Sequence, residues 1–160
     1  MKIVIKQIKF NDLNRIIEIN ENCLPENYSK DFWTQQYYKS KCTSYVAYNS
    51  GIIIGYILCD NNSIISFAID ENYRRNGIGK QLLLNCLNSV SNNIKLYCRV
   101  HNINAFTLYK KLNFNIIDEI SEYYMNPIDN AYVMEWKYTK IDKNLIKKKI
   151  IINNNLNNNK

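Results

Sequence analysis

At 160 residues with 46% hydrophobic side chains, the chain is long enough to bury the core of one compact domain without metals or disulfides. Its net charge of +7 would suggest nucleic-acid binding, but seven lysines and one acid lie between 137 and 160, so the rest carries only about +1. A single histidine, five cysteines without a C-x-x-C spacing and no long apolar run argue against a zinc cluster and a membrane span, and we expect a cytoplasmic protein with reduced thiols.

The first half of the chain predicts one strand, two helices and three more strands. Alternating apolar residues from Ile3 predict an edge strand, and Asn11 is expected to cap a helix that Pro25 ends. Ser29 is expected to cap the second helix, and Asn102 is expected to cap the last one. Apolar runs bounded by turn residues then predict strands at Ser44–Tyr48, Ile52–Cys59 and Ile64–Ile69.

The second half alternates helices and strands and ends in a hairpin. Helices are predicted over Gly77–Val90 and Asn102–Lys111, and strands over Ile94–Arg99, Phe114–Ile120 and Ala131–Trp136. This order indicates a mixed α/β domain over residues 1–138. The segment over 139–160 is rich in Asn and Lys, and its low complexity predicts a basic tail outside the domain.

The segment before the third predicted helix has the features of a phosphate site. Gly77 and Gly79 leave backbone N–H groups free to meet an anion at the helix N-terminus, where the helix dipole adds positive charge. The R-x-x-G-x-G spacing resembles the acetyl-CoA loop of the GNAT acetyltransferase superfamily. This resemblance implies that the CoA pyrophosphate is bound by Arg74, Arg75, Asn76, Gly77, Ile78, Gly79 and Lys80.

The last predicted helix supplies a second match. Asn102-x-x-Ala105-x-x-Leu108-Tyr109 resembles the N-x-x-A-x-x-L-Y element of the same superfamily, and Tyr109 lies two turns after Asn102 on one helical face. The resemblance implies the GNAT fold, a central mixed twisted sheet of about seven strands with about four helices. It implies acetyl-CoA as the cofactor and no metal. The pantetheine arm would be held by Asn102 and by the strand residues Phe67, Ala68 and Ile69.

Two further segments are similar to N-terminal acetyltransferases. Leu24-Pro25-Glu26-Asn27-Tyr28 resembles the L-P-E-N-Y loop of ARD1-type catalytic subunits. Glu122-Tyr123-Tyr124 and the strand that follows resemble their closing hairpin, which the bacterial ribosomal-protein alanine acetyltransferases share in part. The resemblance implies that a protein or peptide N-terminus binds at Leu24, Pro25, Glu26, Tyr28, Tyr123 and Tyr124.

The implied reaction is the attack of a neutral amine on a thioester. An α-amine has a pKa of about 8, so a weak base acting through one water suffices. Glu26 is the first candidate for this base, followed by Tyr73 and by Tyr97, which stands where many relatives carry histidine. Tyr109 is the candidate hydrogen-bond donor to the leaving thiolate. His101 ranks below these residues as a base.

The sequence determines the enzyme's preference for the first residue of its substrate less well than any other property. Glu26 favours the ARD1 type, which takes small or acidic first residues, whereas Tyr73 favours the methionine-preferring type; we expect the ARD1 type. The sequence also leaves open an internal-lysine acetyltransferase, a small-molecule or polyamine acetyltransferase and, outside enzymes, a basic nucleic-acid-binding module. Through the basic tail, an auxiliary subunit and the ribosome are further expected partners, and no membrane is expected.

Overall fold

The computed structural model describes residues 1–60 and 62–139, which form seven strands, four α-helices and two short 3₁₀ helices in the predicted order. The strands are β1 (Ile3–Gln7), β2 (Tyr45–Asn49), β3 (Ile52–Cys59), β4 (Ile64–Ile69), β5 (Ile94–Arg99), β6 (Asn115–Met125) and β7 (Ile128–Trp136). The helices are α1 (Leu13–Cys23), α2 (Lys30–Ser40), α3 (Ile78–Ser89) and α4 (Ile103–Lys111). Almost all of the predicted tail lies outside the described residues.

The strands form two antiparallel sheets that meet at one point. The first sheet has the order β1-β2-β3-β4 and the second has the order β5-β7-β6. In the part of the chain that the structure describes, one isolated parallel bridge, between Ser63 and Lys95, joins them at the start of β4 and β5. The predicted seven-stranded mixed sheet is therefore confirmed in its strands and order, and β4 and β5 diverge beyond the bridge. Their facing edges open a gap at their C-terminal ends.

Two hydrophobic clusters cover the two faces of the first sheet. Helix α3 and residues of the second sheet pack on one face, and α1 and α2 pack on the other. Strand β3 is buried on both faces, which explains why it reads as a continuous apolar run rather than an alternating one. On β4, Ser66 and Ala68 face α1, whereas Phe67 and Ile69 pack on the α3 side.

The helix starts agree with the sequence at two of three predicted caps. The Ser29 hydroxyl accepts a hydrogen bond from the Phe32 N–H at 3.2 Å, and the Asn102 side chain accepts one from the Ala105 N–H at 3.1 Å. The prediction that Asn11 caps the first helix is wrong. A 3₁₀ turn covers Phe10–Asp12, and Asp12 accepts a hydrogen bond from the Lys9 N–H at 2.7 Å. Helix α1 therefore follows Asp12 at Leu13, and the Asp12 side chain makes no capping hydrogen bond to this helix.

The closing hairpin is longer than predicted. Strand β6 runs to Met125 and β7 begins at Ile128, and register shifts interrupt their ladder after Ile116 and after Ile120. Glu122 lies in the second irregular stretch with a φ of 51°. The hairpin therefore carries Tyr123 and Tyr124 on β6 itself. Among the described helices, none is long and apolar enough to cross a membrane.

Candidate active site

The N-terminus of α3 presents free backbone donors. Gly77 is the N-cap with a φ of 75°, a left-handed conformation that glycine adopts without steric cost. The first helical hydrogen bond runs from the Gln81 N–H to the Gly77 carbonyl, and within the described chain no side chain caps this end. The N–H groups of Ile78, Gly79 and Lys80 are therefore directed at the solvent beyond the helix end, as an anion site requires.

The residues before α3 are braced in place. The Arg74 Nε donates to the Ile69 carbonyl at 3.0 Å, and Arg75 donates to the Asn104 side chain at 3.2 Å. The Asn76 side chain donates to the carbonyls of Tyr73 and Arg74. Both arginines thus stay exposed beside the helix end while the loop is tied to β4 and α4.

The free edge of β4 faces the gap. The Asp70 N–H donates to the Ile54 carbonyl in β3, and Ala68 pairs with Tyr56 in the same ladder. Because backbone directions alternate along a strand, the amides of Phe67 and Ile69 point away from β3 towards the gap. The structure therefore brings Phe67 and Ile69 to the opening, and the backbone of Ala68 is used within the sheet.

Helix α4 closes the gap from the other side. Tyr109 is 7% exposed, and its ring lies 6.5 Å from the ring of Phe67 and 5.7 Å from that of Phe114. Burial raises the pKa of the Tyr109 phenol, with smaller contributions from Cys98 and Tyr124. The phenol stays protonated at neutral pH, so it can donate a hydrogen bond.

These elements fit two parts of acetyl-CoA. The uncapped amides and arginines at the start of α3 fit the pyrophosphate, and the free β4 edge fits the pantetheine amides. A Cβ added at Gly79 would lie 3.4 Å from Phe67 and 3.4 Å from Leu108, which is ordinary van der Waals contact and shows that α3 begins close to β4 and α4. Among the described residues, no cluster that could hold a metal ion is present.

An ion pair links the predicted substrate segments. The Arg99 Nη2 donates to the Glu26 carboxylate and to the Asn126 carbonyl, and the Arg99 Nη1 donates to the Pro127 carbonyl at 2.8 Å. The Arg99 guanidinium also lies 4.1 Å from the centre of the Tyr124 ring. One side chain on β5 thus holds both the loop after α1 and the turn between β6 and β7.

Sequence reasoning missed Arg99 because its partners are remote along the chain: Glu26 is 73 residues away and Asn126 is 27 residues away. The one available signal was a charged residue in a strand that leads directly into the Asn102 helix cap.

Tyrosines surround this ion pair. Tyr97 stacks on Tyr123 with ring centres 4.8 Å apart and planes 6° apart, and Tyr123 meets Tyr124 edge-on at 4.9 Å. Burial, with Glu26 and neighbouring phenols, raises the pKa of Tyr28, Tyr123 and Tyr124. These phenols are therefore donors at neutral pH, suited to peptide carbonyl groups.

Two further candidates make their contacts with residues outside the tyrosine cluster. Tyr73 packs, partly buried, against the main core cluster where β4 leads into α3. The His101 ring is 88% exposed and its Nδ1 lies 2.8 Å from the Asp129 carboxylate. Burial pushes the pKa of Asp129 up, but hydrogen bonds with His101 outweigh this and leave the pKa lowered. His101 is thus engaged with Asp129.

Comparison with known proteins identifies the family. A family model described as an acetyltransferase (GNAT) domain matches residues 13–129. An N-alpha-acetyltransferase of Sulfurisphaera tokodaii is 32% identical over 151 residues, which cover 81% of this chain and 90% of that protein. The chain belongs to the GNAT acetyltransferases. The predicted relationship to N-terminal acetyltransferases, the acyltransferase class and acetyl-CoA as acetyl donor are confirmed.

Solved structures confirm the fold. Ard1 from Thermoplasma volcanium superposes with a TM-score of 0.79 at 24% identity, covering 88% of this chain and all of that chain (100%). A chain of the NatC complex bound to Gag peptide and CoA has a TM-score of 0.82 at 24% identity, covering 87% of this chain and 100% of that chain.

Proposed function

We propose that this acetyltransferase acetylates the α-amine of a protein or peptide N-terminus, with the ARD1-type preference for small or acidic first residues. The observation that carries the proposal is the Arg99 side chain, which holds Glu26 and the β6–β7 turn together beside the open edge of β4. N-terminal acetylation is the reaction named for the Sulfurisphaera relative.

The ion pair favours a chain end over a chain middle. A peptide with an internal lysine must continue on both sides of the acetylated residue, so its site needs two exits. Here the loop after α1 and the β6–β7 turn are joined across Glu26 and Arg99. An N-terminus enters with one exit only, which suits a site bounded in this way.

The proposed substrate contacts follow from the donors and apolar surfaces around the pair. Tyr28, Tyr123 and Tyr124 keep their protons at neutral pH and would donate to peptide carbonyl groups. Leu24 and Pro25 lie in the loop after α1 and would bound the first side chain. Glu26 accepts the Arg99 hydrogen bond through Oε1, so Oε2 can accept from the α-amine or from a water beside it.

Acetyl-CoA supplies the acetyl group as a thioester. The backbone N–H of Phe67 or Ile69 would polarise the thioester carbonyl from the free edge of β4. Glu26, or Tyr73 or Tyr97 through water, would take the proton of the α-amine, and Tyr109 would donate a hydrogen bond to the thiolate. Its raised pKa makes Tyr109 a hydrogen-bond donor rather than a source of a transferred proton.

One alternative has an observation in its favour. Tyr73 lies at the junction of β4 and α3, close in sequence to the phosphate loop, and would carry the water in a methionine-preferring enzyme.

The basic tail would bring an auxiliary subunit or the ribosome to the domain. The non-enzymatic alternative, a basic nucleic-acid-binding module, does not fit a GNAT acetyltransferase.

The proposal is tested with purified protein, acetyl-CoA and short peptides that begin with Ser, Ala, Asp, Glu, Met-Leu or Met-Lys. An N-terminally blocked lysine peptide and spermidine serve as controls. We expect turnover of the Ser, Ala or acidic peptides and little turnover of the controls. A tenfold preference for Met-Leu, about 1.4 kcal/mol, would assign the methionine-preferring type. Spermidine or blocked lysine as the best substrate would refute the proposal.

A further inference from the structure

Three buried polar side chains from three different elements meet between α1 and the first sheet. The Asn20 amide nitrogen donates to the Tyr56 hydroxyl at 3.0 Å and lies 3.4 Å from the Ser66 hydroxyl. The hydroxyls of Tyr56 and Ser66 are 2.7 Å apart. Asn20 and Tyr56 are each 1% exposed and Ser66 is 7% exposed. We refer to these three residues as the polar triad.

Burying the polar triad costs free energy that an apolar core of the same shape would not cost. The polar triad lies within the cluster formed by α1, α2 and β3, whose other buried members are mostly apolar, such as Ile16, Ile19 and Leu58. Burying polar groups costs free energy unless every atom is paired, and apolar side chains of similar volume fill such a core at least as well. Among the described residues, the Asn20 Oδ1 is buried without a hydrogen-bond partner. Core stability alone therefore does not explain the triad.

Each member lies next to a part of the proposed active site. The Asn20 carbonyl accepts a hydrogen bond from the Leu24 N–H at 2.8 Å, which starts the loop that carries Glu26. Ser66 directly precedes Phe67, whose amide faces the gap. Tyr56 is paired with Ala68 on the same strand as Phe67. The triad therefore joins the start of the substrate loop to the strand that faces the thioester.

A second contact supports the same connection. The Cys23 thiol donates to the Ile69 carbonyl at 3.5 Å, again between the end of α1 and the end of β4. This contact is longer than the triad bonds, and a thiol is a weak donor. The Arg15 guanidinium on α1 also pairs with the Asp70 carboxylate directly after β4 at 2.8 Å, and the polar triad adds buried, directional hydrogen bonds to this alignment of α1 against β4.

We infer that Asn20, Tyr56 and Ser66 are positioning residues that set the distance between the acceptor amine and the thioester. The inference rests on the proposed function in one respect, which is that the acceptor is an α-amine. Misplacement of reacting groups by about 1 Å can lower a rate by about 100-fold. A small rotation of α1 on β4 is therefore sufficient to slow transfer while acetyl-CoA, held mainly at α3, still binds.

The test compares Tyr56→Phe and Ser66→Ala with the matched control Tyr48→Phe. Tyr48 lies on β2 of the same sheet, and its hydroxyl donates one hydrogen bond to Asp12 at 2.8 Å, away from both substrate sites. Wild-type protein is first assayed on the peptide panel, the blocked lysine peptide and spermidine. The amine that it acetylates fastest becomes the reporter for all variants.

We expect both triad variants to lower kcat by about tenfold or more, with the calorimetric Kd for acetyl-CoA within about twofold of wild type. The Tyr48→Phe control should keep wild-type kcat. Because the two hydroxyls share one hydrogen bond, the fold-loss of kcat in the double variant should be smaller than the product of the two single fold-losses.

Wild-type kcat in folded Tyr56→Phe and Ser66→Ala would overturn the inference, as would a kcat loss that Tyr48→Phe shares. If Tyr56→Phe does not fold, Ser66→Ala alone decides, since it removes a single oxygen atom. Failure of the proposed function is a separate result, because it appears in the wild-type choice of amine and leaves the ratio of variant to wild-type kcat measurable.

Discussion

Gly77 is the residue on which the anion geometry at α3 depends most directly, because its φ of 75° is unfavourable for any residue with a Cβ. Gly51, in the β2–β3 turn, has a φ of 85°, and an added Cβ would meet no atom within 4 Å at either glycine. Gly77→Ala and Gly51→Ala should each lower the free energy of unfolding by about 1 kcal/mol.

Only Gly77→Ala should weaken acetyl-CoA binding, by about fivefold or more, because its strain rotates the amides that face the pyrophosphate. Isothermal titration calorimetry of both variants checks this difference. Equal affinities in two folded variants would show that the α3 terminus does not bind the pyrophosphate.

Substitution of Tyr109 tests the chemical step of the reaction. Its raised pKa makes the phenol a stable donor, so Tyr109→Phe removes the proposed hydrogen bond to the thiolate and little volume. We expect kcat to fall by about tenfold or more with KM for acetyl-CoA nearly unchanged. Single-turnover kinetics measure the chemical step directly, and an unchanged rate there would remove Tyr109 from the mechanism.

At the residue scale, local contacts were predictable and remote contacts were not. The caps at Ser29 and Asn102 follow from hydrogen bonds that reach only three residues along the chain. Arg99 binds Glu26 across 73 residues, and Asn20 meets Ser66 across 46 residues. No spacing in the sequence reports such contacts, because the fold creates them.

At the scale of elements, Arg99 joins β5, the loop after α1 and the β6–β7 turn. Arg99→Met should release both segments and raise KM for the peptide by about tenfold, while Kd for acetyl-CoA stays the same. Arg99→Lys keeps the charge near Glu26 but lacks the planar fork, so it should restore part of the affinity. Steady-state kinetics with both variants check this order, and equal KM values in all three proteins would contradict it.

The basic tail is the second element with a testable role. The Tyr138 N–H donates to the Asn93 side chain at 3.0 Å, and its ring lies 6.3 Å from that of Trp136. A chain ending at Tyr138 retains these contacts and should keep wild-type peptide turnover. It should lose co-sedimentation with ribosomes at low salt, because it lacks the six lysines and one aspartate beyond Tyr138, which carry +5 of the net charge of +7. Equal co-sedimentation of both chains would show that the tail does not tether the enzyme.

The elements themselves were largely predictable because their signals are periodic and local. Strand Ile94–Arg99 and the limits of α3 agree with the apolar pattern. The hairpin was predicted too short because β6 is exposed along most of its length, so Glu122 and Tyr123 give no buried alternation. Strands β4 and β5 pair only at the Ser63–Lys95 bridge among the described residues and then separate. Neither strand's own sequence predicts this separation, because it depends on how the two sheets pack.

For the whole molecule, two phenols with raised pKa values, the partly buried Tyr48 and the buried Tyr56, predict loss of stability at alkaline pH. Burial, helped by Asp12, raises the pKa of Tyr48 from 10.0 to about 12, and burial also raises the pKa of Tyr56. The folded state therefore binds more protons than the unfolded state above pH 10. This stabilisation is complete below pH 10 and is lost as the pH rises towards 12.

Urea unfolding at pH 8, 10 and 11 should show a free energy of unfolding that is level at first and then falls. The slope should reach up to about 1.4 kcal/mol per pH unit for each fully buried phenol. Tyr48→Phe should fall less steeply than wild type. A free energy of unfolding that stays constant to pH 11 would show that the pKa values of these phenols are not raised by folding.

The central claim is transfer to an α-amine, and one peptide that offers two amines tests it most directly. A peptide with a free N-terminal Ser and one internal lysine is incubated with acetyl-CoA and the purified protein, and tandem mass spectrometry locates the acetyl group. The geometry around Glu26 and Arg99 predicts acetylation of the α-amine and none of the lysine. Acetyl on the lysine side chain with a free α-amine would contradict the account.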